Sequence, residues 1–90
     1  MVKQKDNPSS IQKDSPATQR GLILYNDDIN TFDFVIDTLI EVCKHEPEQA
    51  EQCAMITHFK GKCNVKTGDY HEVKPMYDEM ILRGLTVSIE

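Results

Sequence analysis

Two short β-type runs set the outer frame of this chain. "GLILY" at 21–25 is a continuous apolar run with a turn signal directly behind it, and "LTVSIE" at 85–90 alternates apolar with polar residues. The first reads as a buried strand and the second as a half-buried one, with Leu85, Val87 and Ile89 on its inner face. Between them, Thr31 or Asn30 is placed to N-cap a first helix, Asp33 sits in its first turn where the helix dipole favours negative charge, and Val35, Leu39, Val42 and Cys43 repeat at helical spacing. Asp33, Asp37 and Glu41 share another, solvated face. Pro47 suits the opening turn of a second helix and Gly61 its close. "KCNVK" at 62–66 reads as a short alternating strand ended by a "TGD" turn around Gly68. A third helix carries Val73, Met76, Tyr77 and Met80 as its apolar stripe, with Pro75 near the first turn and Gly84 as its cap. The order strand, helix, helix, strand, helix, strand predicts an α+β fold: a small α/β sandwich with three helices covering one face of a three-stranded, mostly antiparallel sheet.

Ninety residues suffice for one modest core and no second one. The first twenty, "MVKQKDNPSSIQKDSPATQR", have only scattered apolar residues, which predicts a disordered arm at 1–20 ahead of a folded domain at 21–90. Lys3, Lys5, Lys13 and Arg20 oppose Asp6 and Asp14 in that arm, which leaves the body with six basic against thirteen acidic side chains. Such a body lacks the clustered cations that phosphate neutralisation needs, so nucleic acid is not an expected partner. Three widely spaced cysteines, no signal-peptide core and no apolar run near membrane length point to a cytoplasmic protein without a membrane span. Cys43 and Cys53 fall on helix faces and Cys63 in a strand, where packing is the expected role.

The chemistry concentrates where the first strand ends. Asn26, Asp27 and Asp28 crowd one turn, and His58 falls near the end of the second helix on a stripe of small residues, Ala50, Ala54 and Gly61. There is no Gly-rich phosphate loop, nucleophile elbow, HExxH or paired CxxC motif, so neither a metal nor a cofactor is expected and an enzyme is disfavoured. Three readings remain open at the level of the residues. The acidic turn can simply make a bend and support a helix start. Asp27, Asp28 and His58 can do acid-base or metal chemistry. Or the amide, the carboxylates and a neutral imidazole can form an acceptor set for an ammonium, which has three donors and no acceptor. In that case Leu24, Phe32, Val35 and Ala54 would line an apolar pocket beside it, and an α-amino group attached to an apolar side chain would satisfy both halves.

"YNDD" before an amphipathic helix, then "ITHFKGKC" and the closing "LTVSIE", resembles the ClpS family of protease adaptors over Leu22 to Glu90. The resemblance implies a non-enzymatic, monomeric adaptor that recognises the N-terminal residue of N-degron substrates and delivers them to the ClpA unfoldase of the ClpAP protease. It implies that Asn26 and His58 contact the substrate α-amino group, that Asp27 and Asp28 supply acidic contacts or water bridges, and that Leu24, Tyr25, Asn30, Phe32, Val35, Ala54, Thr57 and Leu85 form the side-chain pocket. Glu72 is matched as an unfoldase contact, and the arm is suited to engaging the unfoldase. The sequence departs from the family pattern in carrying Asn30 and Thr31 where Thr-Pro is common, and Phe32 and Ala54 at two methionine positions. One larger and one smaller residue offset each other in volume, which predicts a reshaped pocket. A ribosomal stalk C-terminal domain is the alternative of similar architecture.

Overall fold

The computed structural model describes residues 18–90. Residues 1–17, most of the segment read as an arm, lie outside the described part. The element order is β1 Gln19–Tyr25, α1 Phe32–Cys43, α2 Pro47–Lys60, β2 Lys62–Asp69, α3 Tyr70–Leu82 and β3 Thr86–Ile89. β1 is central, flanked by β2 and β3, and both pairings are antiparallel. The α+β architecture is therefore the expected one.

Burial explains the strand pattern. Leu22 and Leu24 are fully covered and join Leu39, Cys43, Ala50, Val65, Val73, Met80, Leu85 and Val87 in one core between sheet and helices. Ile23 points away from that cluster, because successive side chains of a strand take opposite faces. On that open face the Tyr25 hydroxyl meets Ser88 Oγ at 3.1 Å and donates to Glu90 Oε2 at 2.9 Å.

Two boundaries differ from the sequence reading, and they share one cause. β1 starts at Gln19, inside the segment read as the arm, and β2 continues through Thr67, Gly68 and Asp69 rather than turning there. Gln19, Arg20 and Gly21 pair with those three residues, so each extension satisfies the other's backbone groups. Gly68 has no positive φ. A Cβ there would stand 2.6 Å from Glu72 Oε1, so what the glycine supplies is room. That oxygen accepts from Asp69 N–H at 3.0 Å and completes a capping box with Asp69 as N-cap of α3.

Glu72, matched by resemblance to an unfoldase contact, is thus first a structural acceptor. Glu72→Ala should cost about 1 kcal/mol, a melting-point drop of about 4–8 °C for a domain this small. Glu72→Gln, which keeps the acceptor and loses the charge, should melt close to the parent. Thermal denaturation of the two variants checks this, and an unchanged Ala variant would remove the cap from the account.

The helix ends are mostly where the sequence puts them. Thr31 Oγ1 accepts from Phe34 N–H at 3.1 Å and caps α1. Pro47 opens α2, and Gly61 closes it at φ 95°. Pro75 sits inside α3, in its second turn rather than its first. α3 ends in a Schellman arrangement: Gly84 at φ 88° donates to Ile81 O, Leu85 N–H donates to Met80 O, and Leu85 and Met80 are both buried. The end of α1 carries no glycine. Lys44 takes the left-handed conformation at φ 61° instead.

The small-residue stripe of α2 is also redrawn. Ala50, Ala54 and Thr57 are the buried positions, while His58 and Gly61 are exposed. Burial pushes the Cys43 thiol up to about 11, against a partial offset from Lys66. Burial and then the neighbouring Cys53 thiol push Cys63 up to about 12. Both stay protonated near neutrality, when the thiolate is the reactive form, and that agrees with packing roles.

Candidate functional site

A cavity of about 410 Å³ opens where β1, the 26–31 loop, the first turn of α1 and the later half of α2 converge. Its walls are Leu24, Tyr25, Asn26, Asp27, Asp28, Asn30, Phe32, Val35, Ala54, Thr57, His58 and Leu85. These are the residues that the acceptor-set reading and the resemblance single out, and the fold brings all twelve to one recess. Glu72, on the first turn of α3, is not among them.

The floor is apolar and nearly closed to solvent. Leu24, Ala54 and Leu85 are each at most 4% exposed. Thr57 is buried too, and its hydroxyl donates to Cys53 O at 2.8 Å, so that polar group is already satisfied. Phe32, the first residue of α1, is 42% exposed at the mouth.

The acidic turn has a division of labour that the sequence does not show. Asn26 N–H donates to Gly61 O at 2.9 Å and ties the loop to the end of α2. Asp27 Oδ1 accepts from the backbone N–H of Ile29 and of Asn30, each at 2.9 Å, which is an Asx turn. Asp27 Oδ2 accepts from Asn30 Nδ2 at 2.9 Å, and the same amide donates to Gly84 O at 3.0 Å. The loop is therefore braced through Asn30 onto the turn between α3 and β3. Burial alone would raise the pKa of Asp27, but the donors from Asn30, Ile29 and Thr86 outweigh it and hold the carboxyl below its ordinary value.

Asp27 thus acts as a bracket, and the remaining acceptors are the ones free to act. The side chains of Asn26, Asp28 and His58 make no hydrogen bond among the described residues. His58 packs edge-on to Phe59 at 4.9 Å. An amide oxygen, a carboxylate and an imidazole nitrogen without intramolecular partners border an apolar floor. Among the described residues no group of three His, Cys, Asp or Glu side chains could hold a metal ion. The role of Thr86 as a partner of Asp27 was not foreseen, since only the fold brings together residues so far apart in the chain. Asn30, read only as a pocket wall, had a detectable signal in its three-residue spacing from Asp27.

Helices packed on one face of a short antiparallel sheet, with a half-apolar recess at the end of the central strand, define the class: a small α+β domain organised around a single-side-chain-sized cavity. Residues 16–86 match the family model described as ATP-dependent Clp protease adaptor protein ClpS, and the chain belongs to that family. It is 34% identical over 73 residues to the ClpS adapter of Neisseria meningitidis serogroup A, covering 79% of this chain and 71% of that protein. The ClpS adapter of Nitratidesulfovibrio vulgaris is 38% identical over 55 residues, 59% of this chain and 55% of the relative. That of Escherichia coli is 36% identical over 61 residues, 66% and 58% respectively. The chain thus spans between a little over half and about seven-tenths of these curated relatives. In fold it is similar to the structure of Agrobacterium tumefaciens ClpS2 bound to L-phenylalaninamide, with a TM-score of 0.68 at 22% identity over 81% of this chain and 95% of that one. The family assignment displaces the stalk-domain alternative. No helix among the described residues is long and apolar enough to cross a membrane.

Proposed function

We propose that this chain is a non-enzymatic adaptor that holds substrates by their N-terminal residue and hands them to a ClpA-type AAA+ unfoldase in the cytoplasm. The observation that carries the reading is the set of acceptors without intramolecular partners, Asn26, Asp28 and His58, at the rim of a cavity floored by Leu24, Ala54 and Leu85. An ammonium at the rim supplies the donors those groups lack, and the side chain on the same carbon reaches the floor. L-phenylalaninamide, the molecule bound to the Agrobacterium protein, combines a free α-amino group with an aromatic side chain and so has the chemistry this cavity asks for. In this reading Asn26 and His58 contact the α-amino group directly, Asp28 supplies the negative charge, and Asp27 sets the loop that carries them. Tyr25, Asn30, Phe32, Val35 and Thr57 complete the side-chain pocket. Residues 1–20 and the exposed first turn of α3 are the parts assigned to the unfoldase.

The contacts support a binding free energy of roughly 6–8 kcal/mol, about micromolar to tens of micromolar, once ordering costs are subtracted from two or three charged hydrogen bonds and one buried side chain. Such a strength suits a carrier that must release its cargo. Fluorescent peptides differing only in the first residue test the pocket. Saturable binding is expected for Leu, Phe, Tyr or Trp, with Glu or Asp at least about 30-fold weaker, because a carboxylate would meet an apolar floor without a partner. Indifference to the first residue would sink the proposal. Delivery has its own readout: the adaptor should accelerate degradation of a Leu-led substrate by a ClpA-type unfoldase and its protease.

A further inference from the structure

A second cavity, of about 330 Å³, lies away from the first, between the α1–α2 connection and β2. Its walls include Lys44, His45, Gln49, Asn64, Lys66 and Thr67. Gln49 lies at the start of α2, eight residues before Thr57 in the first cavity, which is about 12 Å along a helix.

His45 is the unusual member. It is 5% exposed, and its Nε2 lies 2.6 Å from the carbonyl oxygen of Val65. Leu22 pairs with Lys66 and Ile23 with Asn64, so Val65 is the extra residue of a bulge and its carbonyl is the group that the imidazole meets. A carbonyl only accepts, so Nε2 carries a hydrogen. The other ring nitrogen, Nδ1, is buried with no partner. An orphaned polar atom in a folded interior marks a ligand or ordered solvent.

The walls decide which kind of ligand fits. Two lysines, Lys44 and Lys66, and the amides of Gln49 and Asn64 give the cavity donors and positive charge in a chain of net charge −5. Cys43, the remaining titratable wall, is a neutral thiol because burial raises it to about 11. A cation would have no carboxylate to meet here. An oxyanion would find Lys66 from β2, Lys44 from the connection and, with both ring nitrogens protonated, the Nδ1–H of His45.

We propose that this cavity is an oxyanion-binding site, taking a phosphate or carboxylate group through His45 Nδ1, Lys66 and Lys44, separate from the substrate pocket. Its occupant is either a free small anion or the acidic side chain of a bound protein, and both present the same oxygens. The test is a titration of the full chain, followed through the His45 ring signals by NMR, with inorganic phosphate in one arm and a capped Glu-rich peptide in the other. Sodium chloride at matched ionic strength is the control. Saturable movement of the His45 signals is expected in at least one arm, at least tenfold weaker with chloride, and weakened at least fivefold in Lys66→Gln. Response to phosphate alone identifies a free anion, and response to the peptide a protein carboxylate. Silence in both arms, an equal response to chloride, or undiminished affinity in a folded Lys66→Gln overturns the proposal. Lys44→Gln, on the exposed connection, gives a second reading independent of β2. Binding of a Leu-led peptide at the first cavity should be unchanged in both variants, which separates failure here from failure of the adaptor reading.

Discussion

Acetylating the α-amino group of a Leu- or Phe-led peptide should weaken its binding by about 100-fold or more, the largest single effect expected of this protein. Acetylation turns a three-donor cation into a neutral amide with one donor and an added carbonyl. Each charge-assisted hydrogen bond contributes about 1.5–3 kcal/mol, and losing two of them corresponds to at least about 100-fold. The acceptors that would lose their donors are Asn26, Asp28 and His58, which make no hydrogen bond among the described residues. The acetyl carbonyl would also bring an acceptor to a rim made of acceptors. Fluorescence anisotropy with matched free and acetylated peptides reads the difference directly. Equal affinity would mean that the rim does not recognise an ammonium, and the acidic turn would return to a purely local role.

Much of this site was legible in the chain because its chemistry is compressed into short stretches. "YNDD" and "INTF" carry seven of the twelve cavity walls, and α2 brings Ala54, Thr57 and His58 through plain helical spacing. The element order was legible because Pro47, Gly61 and Gly84 punctuate it through backbone geometry. What was hidden depends on contacts between distant segments. The Gly68 turn was misread since glycine has two uses, positive φ and missing volume, and only the position of Glu72 tells them apart. The extension of β1 back to Gln19 was hidden for the same reason: Gln19 and Arg20 carry no apolar signal and are strand because Gly68 and Asp69 pair with them. The left-handed Lys44 at the end of α1 had no glycine to announce it. The Gly84 carbonyl and Thr86, which brace Asn30 and Asp27, are more than fifty residues away in sequence.

That bracing leads to the second large effect. Asp27→Ala removes the acceptor for Ile29 N–H, for Asn30 N–H and for Asn30 Nδ2 at once. The 26–31 loop should lose its shape and peptide binding should fall at least tenfold. Melting should change little, because Asp27 is not part of the core cluster. Two companions tell bracing from charge. Asp27→Asn keeps one oxygen for the backbone donors but sets an amide NH₂ against Asn30 Nδ2, donor to donor. Asn30→Ala leaves the Asp27 charge in place and cuts both the Asp27 and the Gly84 links. If bracing dominates, Asn30→Ala should reproduce most of the Asp27→Ala loss; if charge dominates, it should bind like the parent while Asp27→Asn does not. Acidity gives an independent check with a fixed sign. The folded pKa of Asp27 lies below its ordinary 3.8, so the loop stabilisation is fully present above that value and is lost as pH falls through the lower, folded one. The Ile29 and Asn30 amide signals should therefore hold steady from pH 8 down to about 5 and move only in more acidic solution. Movement of those amides near neutrality, or full binding by Asp27→Ala, would show that the loop is held by something other than this carboxylate.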